Sequence, residues 1–324
     1  MFLLPHKPRS ILLTLYSVNL FLLGCCVQDA AGDDHPAGVR LQAGQASDGS
    51  LWINGNGGRI RRDIPYTART NAPQTADMYL PTDHAEAGYP IVIVVHGGAW
   101  RAGDKWNISR FSFELAKMGI ASLAINYRLA PEHRFPAQMD DLRDALCWVA
   151  DNAVKYDLAP QRIGMFGYSA GAHMACLLGT LNDQPIAQQR LASAWAADDP
   201  RWRKLPSVRA IVAGAPPCDF REMPADNQTL AYFLGGSRKQ FPQRYAAASP
   251  ASFVSAGDVP TLYVHGDRDL IVPYSSSRQL FQRQQDAGVC SEYLTLSGGG
   301  HISTYLSPQL KRAVVQYLHF QLTK

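Results

Sequence analysis

Six short apolar runs alternate with helical patterns along this chain, and that alternation constrains the fold more than any other feature. The runs are IVIVV (91–95), ASLAINY (121–127), RIGMFG (162–167), VRAIVAG (208–214), PTLYVHG (260–266) and EYLTLSG (292–298). They are nearly unbroken rather than alternating apolar with polar, which fits strands covered on both faces. Between them, Met139, Leu142, Leu146, Val149 and Ala153 recur at helical spacing, and amphipathic patterns occupy about 108–118, 170–181, 275–287 and 307–322. Strand–helix alternation over most of the chain predicts a doubly wound, mostly parallel α/β sheet. With 324 residues, 46% of them hydrophobic, the chain can bury one large core.

The N-terminus reads differently. His6, Lys7 and Arg9 precede an apolar run from Ile11 to Gly24, which is shorter than the roughly 20 residues a spanning helix needs. Residues 1–25 therefore read as an export leader. Its end, Leu-Leu-Gly-Cys25, resembles a bacterial lipobox, which implies lipid attachment at Cys25, membrane anchoring and a place in the periplasm or cell envelope; an ordinary secretory leader and an uncleaved anchor are the alternatives. Residues 26–62, rich in Gly, Ala, Asp and Gln, lack helical periodicity and read as a loose arm, so the fold is expected over 63–324. Cysteine spacing matches no disulfide framework, and Cys147 and Cys176 fall inside apolar helical patterns as small core residues. The formal charge of +4 is too small and too scattered to indicate a nucleic-acid partner. Nothing in the sequence sets an oligomeric state.

One pentapeptide carries chemistry. Gly167-Tyr168-Ser169-Ala170-Gly171 sits where the 162–167 run meets the 170–181 helical pattern. A serine in so sharp a turn has its hydroxyl exposed, and small neighbours two residues away on each side let strand and helix approach. A serine hydroxyl is a poor nucleophile at neutral pH and needs a base within reach. His301, on the glycine loop LSGGGHI after the last run, fits that role better than His96, His173 or His265. The base needs a buried carboxylate to orient it. HGDRDLIVP (265–273) offers Asp267 and Asp269, of which Asp269 is the choice and Asp267 the loop hydrogen-bonder. Oxyanion donors are expected from the amides of Gly98 and Ala99, in His96-Gly97-Gly98-Ala99-Trp100, and of Ala170. Trp100 either packs beneath that loop or lines the pocket, and Tyr168 is placed in the pocket. The interrupted segments 182–207 and 217–257 are expected to frame the site, the second as a lid-like insertion.

These motifs carry a family likeness. HGGAW (96–100), NYRLAPEHRFPAQMDD (126–141), GYSAG (167–171), HGDRDLIVP (265–273) and GGGH (298–301) occur in the order found in α/β-hydrolase serine esterases, which the chain resembles over residues 63–324. The YRLAPEH stretch looks like hormone-sensitive-lipase-type esterases. HGGAW and the Asp-x-x-Val-Pro element look more like the feruloyl-esterase-like and kynurenine-formamidase-like branch. The resemblance implies a Ser169–Asp269–His301 triad. It also implies short-chain esters, acylated polysaccharides or N-formyl amides as substrates. Ala99 stands where the hormone-sensitive-lipase group has a third glycine, and residues 26–62 do not look like that group's helical cap, which implies a more open site. The leading expectation is a carboxylesterase working through an acyl-enzyme on a small-molecule or carbohydrate-linked ester. An amide hydrolase with the same triad and a non-catalytic binding module are the alternatives. The chain has no His-Glu-x-x-His, paired Cys-x-x-Cys or P-loop, so no metal or organic cofactor is expected.

Overall fold

The computed structural model describes residues 42–45, 51–55, 58–67, 74–83 and 85–324. The expected leader and Cys25 lie outside the described residues. Among the described residues ten strands form one sheet: β1 (Gln42–Gln45), β2 (Leu51–Gly55), β3 (Gly58–Pro65), β4 (Thr75–Leu80), β5 (Tyr89–Val95), β6 (Ala121–Ile125), β7 (Leu158–Tyr168), β8 (Val208–Gly214), β9 (Thr261–Gly266) and β10 (Glu292–Leu296). Their order is β1-β2-β3-β4-β6-β5-β7-β8-β9-β10. β5 to β10 run parallel, and β1 to β4 are antiparallel, joined to the rest by the β4–β6 pair.

All six predicted strands are present, and β5 explains their composition. Every residue of it is buried, with Ile91, Ile93 and Val95 in one core and Val92 and Val94 in the other. A strand with two apolar environments needs apolar residues at every position. One core receives the Ala137–Asp151 and Ala170–Leu181 helices, and the other receives Ser109–Lys117 and Pro308–Leu322.

One expectation needs correction. Residues 26–62 are not wholly an arm, because β1, β2 and the start of β3 lie there. Ile60 and Ile64 of β3 are buried while Arg59 and Arg62 face solvent. The alternation of Arg59 and Ile60 is broken by an irregularity between Arg61 and Ile64, so neither a helical nor a simple two-residue period marks this strand in the sequence. The segment 182–207 has a structural role. Its backbone and side chains are tied to the Ala137–Asp151 helix: Asp140 accepts from Ser193 Oγ and the Ala194 amide, Arg143 donates to the Ala192 carbonyl, and Arg201 pairs with Asp144. The segment leaves the far end of a 12-residue helix that starts beside Ser169, about 18 Å away at 1.5 Å per residue. The contacts to the Ala137–Asp151 helix brace the fold.

Cys147, Cys176 and Cys218 are buried and free, and Cys290 is exposed and free.

Buried imidazoles make folding pH-sensitive. Burial pushes His96 and His173 down to about 4, so between that pH and the ordinary value near 6.5 the unfolded chain binds more protons. Their contribution is complete above about pH 6.5 and is lost as pH falls toward 4, on the order of 3 kcal/mol each. Asp258, pushed up to about 6 by burial, has the opposite sign and offsets roughly one of them. A net loss of about 3 kcal/mol from pH 7 to pH 4 is expected in urea titrations. Equal midpoints at pH 7 and 4.5 would contradict it.

Candidate active site

The site assembles at the carboxyl ends of β5, β7, β9 and β10, where parallel sheets leave room for ligands. Ser169 follows β7 directly, with φ 54° and ψ −117°, in a region that side chains rarely enter. Its neighbours impose that conformation. A Cβ on Gly171 would lie 2.1 Å from the Val95 carbonyl oxygen, and one on Gly167 would lie 2.3 Å from the Gly171 backbone. Only glycine permits strand and helix to approach so closely. The Ser169 amide donates to the Gly214 carbonyl at 2.8 Å, and the His173 amide donates to the Ser169 carbonyl at 2.9 Å. Ser169 is partly exposed. Among the described residues its hydroxyl makes no hydrogen bond, to His301 or to any other group.

The loop after β5 lies against this turn, with the position of a Cβ on Gly97 only 3.3 Å from Ser169 Cβ. Gly98, Ala99 and Trp100 all have positive φ, at 115°, 54° and 59°. The turn is closed by the Arg101 and Ala102 amides donating to the Gly98 carbonyl. Gly98 is exposed and Ala99 partly so, and among the described residues their amides donate to nothing in the protein. Ala170 begins the helix after Ser169, where an amide has no intrahelical acceptor. Three donors are thereby free around one serine.

Trp100 is buried. Its ring stacks on Phe233 at 4.4 Å, and its indole N–H donates to His173 Nδ1 at 3.2 Å. His173 Nε2 faces the Ala248 carbonyl at 2.7 Å, so that nitrogen carries the proton and Nδ1 accepts. Of the two expectations for Trp100, packing beneath the loop is the one found. Phe233 and Ala248 belong to the 217–257 insertion, so a single aromatic cluster ties the β5 loop, the serine helix and the insertion together. Tyr168 needs a correction. It is 4% exposed, and its hydroxyl donates to the His301 carbonyl at 2.6 Å. It supports the histidine loop from behind instead of lining a pocket. Its side chain leaves β7 on the face opposite Ser169's helix, among Phe166, Val212 and Val264.

His301 and Asp269 meet as expected. His301 Nδ1 lies 2.6 Å from Asp269 Oδ2, and a carboxylate can only accept, so Nδ1 carries the proton and Nε2 is left with its lone pair. Asp269 Oδ1 accepts from the Ile271 and Val272 amides, both at 2.9 Å. Burial alone would raise the Asp269 pKa, but the donors from His265, His301 and Val272 outweigh it and hold the carboxyl well below its usual range. Asp267 is exposed and accepts the Gly298 amide at 2.7 Å, which makes it the loop hydrogen-bonder. The Arg268 amide donates to the Gly299 carbonyl, so the two loops are stitched together. The Tyr168 and His301 ring centroids are 5.3 Å apart, which puts the imidazole beside the residue next to Ser169. His96 stacks on Tyr127 and bonds its own loop.

One partner of the carboxylate escaped the sequence reading. His265 Nε2 is 3.2 Å from Asp269 Oδ2, and the signal was a histidine four residues ahead of the carboxylate at a strand end. The HGGAW and YRLAPEH motifs are also joined, through the Ala130 amide and the Trp100 carbonyl at 2.8 Å. Arg128 of the second motif pairs with Asp141 of the Ala137–Asp151 helix. A cavity of about 540 Å³ is lined by Tyr66, Asp144, Cys147, Trp148 and Arg201 among others; none of the predicted site residues borders it.

Comparison with known proteins shows the family and fold. The BD-FAE family model matches residues 76–283, a stretch that includes the β5 loop, Ser169 and Asp269. Esterase LipQ of Mycobacterium tuberculosis is 29% identical over 324 aligned residues, spanning 92% of this chain and 73% of that protein. Esterase LipC of the same organism is 28% identical over 242 residues, covering 70% of this chain and 56% of its own length. A solved truncated form of a carbohydrate esterase from gut microbiota superposes with a TM-score of 0.71, at 26% identity over 82% of this chain and 96% of that one. The chain is a carboxylesterase-type α/β-hydrolase and belongs to the BD-FAE family.

Proposed function

We propose that the protein cleaves short acyl groups from carbohydrate hydroxyls, through an acyl-enzyme on Ser169 with His301 as base and Asp269 as its orienting carboxylate. The observation that carries this is the 2.6 Å contact between His301 Nδ1 and Asp269 Oδ2, on loops stitched together beside the strained Ser169 turn. His301 Nε2 takes the serine proton as Oγ attacks the ester carbonyl. The charge that develops on the carbonyl oxygen is held by the amides of Gly98, Ala99 and Ala170, each worth a factor on the order of 10²–10³. The imidazolium then protonates the departing sugar oxygen, and water activated by the same nitrogen releases the acid. The likeness to a gut-microbiota carbohydrate esterase supports the alcohol half of the substrate.

Labelling tests the nucleophile. A fluorophosphonate probe is expected to modify Ser169 alone, as read by peptide mass spectrometry. A panel of p-nitrophenyl esters from acetyl to decanoyl, run beside acetylated xylan and a feruloyl ester, is expected to give kcat/KM that falls with chain length and rapid release of acetate from the xylan. An unlabelled Ser169, or a preference for decanoyl ester, would refute the corresponding half of the proposal.

A further inference from the structure

We propose that His265 is a positioning residue for this reaction, acting on Asp269 by sharing the carboxylate oxygen that His301 uses. The inference rests on the reading of Ser169, His301 and Asp269 given above. Asp269 Oδ2 receives His301 Nδ1 at 2.6 Å and His265 Nε2 at 3.2 Å. His265 is fully buried at the end of β9, in the strand from which the Asp269 loop departs. Its Nε2 also faces the Val272 carbonyl at 3.1 Å. Both partners are acceptors, so Nε2 carries the proton. Nδ1 then accepts from Ser277 Oγ at 2.6 Å, and Ser277 lies 2.8 Å from the Tyr293 hydroxyl. A chain of hydrogen bonds thus runs from Tyr293 through Ser277 and His265 to the carboxylate, anchored at His265 by the Asp269 carboxylate and the Val272 carbonyl, which can only accept.

The consequence lies in how Oδ2 is divided. The Ile271 and Val272 amides already pin Oδ1, so losing His265 would leave the carboxyl group in place with one oxygen served by His301 alone. Less of its negative charge would then be neutralised by neutral donors, and the imidazolium of His301 would be held more strongly. His265 therefore takes up part of the charge on Oδ2 and fixes which lone pair of that oxygen faces His301. The other titratable groups around this cluster are the phenols Tyr274, whose ring lies 5.7 Å from that of His265, Tyr293, Tyr168 and Tyr305, the Cys218 thiol near Tyr293, and two guanidinium groups, Arg278 over the Tyr293 ring and Arg110 over the Tyr305 ring. Burial pushes the pKa of Tyr293, Tyr168 and Tyr305 up, which keeps them neutral where the acid limb of the pH profile falls. Asp267 and Arg268 of the same loop are exposed.

The experiment is the pH dependence of kcat and kcat/KM for p-nitrophenyl acetate in full-length wild type, His265→Gln, His265→Asn and His265→Leu, with melting temperatures and fluorophosphonate labelling of each. Glutamine can place an amide donor where imidazole Nε2 stands, whereas asparagine reaches only the Nδ1 position. His265→Leu and His265→Asn are expected to lower kcat about 10- to 100-fold at little-changed KM, part of the 10²–10⁴ a positioned base supplies. Their acid limb is expected to move up by about half a pH unit or more. His265→Gln should recover most of the rate and the wild-type limb. Should the leucine variant fail to fold, the glutamine and asparagine pair decides alone. Equal losses in all variants that track melting temperature, with an unmoved limb, would overturn the proposal and leave His265 a packing residue. Failure of the probe to label Ser169 in wild type would instead overturn the underlying reading.

Discussion

Replacing Ser169 with alanine is expected to lower kcat on p-nitrophenyl acetate by a factor on the order of 10⁶ while leaving stability almost unchanged. The two halves of that expectation have separate causes. The strain at residue 169 arises from a Cβ held at φ 54°, and serine and alanine both carry one. The restraints on the turn are backbone contacts: the amide to Gly214, the carbonyl from His173 and the two glycine approaches. None involves the hydroxyl, which is partly exposed and unbonded among the described residues. Its removal should shift stability by no more than about 0.5 kcal/mol, visible as an unchanged melting temperature. With no nucleophile, the free amides and His301 would retain only weak assistance to attack by water. Activity within tenfold of wild type in pure, folded S169A would exclude the serine, and a large fall in melting temperature would mean that the hydroxyl has a structural partner.

Much of this was legible because the chemistry is local. The glycines around Ser169 announce a close approach, and the approach is there at 2.1 Å. β5 reads as doubly covered because every residue is apolar. Asp269 and His301 could be chosen because each follows a strand within a few residues, and in a parallel sheet those ends converge on one rim. Other features were hidden for physical reasons. β2 and β3 pair through Gly55 and Gly58, with Asn56-Gly57 between them, a strong hairpin signal. Polar residues on the exposed face of β3 masked it. The ring of Tyr168 beside a reactive serine could as well line a pocket as brace a loop, and its direction depends on the parity of β7. His265 looked like any strand-end histidine. Its contact with Asp269 exists only because the loop turns back, with the Asp269 amide on the Gly266 carbonyl at 3.3 Å.

That fold-back also fixes the outcome of a second substitution. Asp269→Asn is expected to lower kcat about 10⁴-fold without loss of fold, and the direction of the amide decides why. Two backbone amides, from Ile271 and Val272, point at Oδ1, so the asparagine oxygen must take that place and its NH₂ must take the place of Oδ2. A donor would then face His301 Nδ1, where an acceptor stood at 2.6 Å. The imidazole must move its proton to Nε2, the nitrogen proposed to take the serine proton, and in that tautomer it cannot accept one. The same NH₂ would confront His265 Nε2, forcing that ring to surrender its bond to the Val272 carbonyl or to turn away. Rotating the amide to spare the histidines would set NH₂ against two backbone donors, which is worse because backbone cannot change its protonation. A variant with kcat within tenfold of wild type at pH 7 would mean that Asp269 does not orient the base. A variant with the expected loss and unchanged fluorophosphonate labelling rate would place the carboxylate's role after acylation rather than before it.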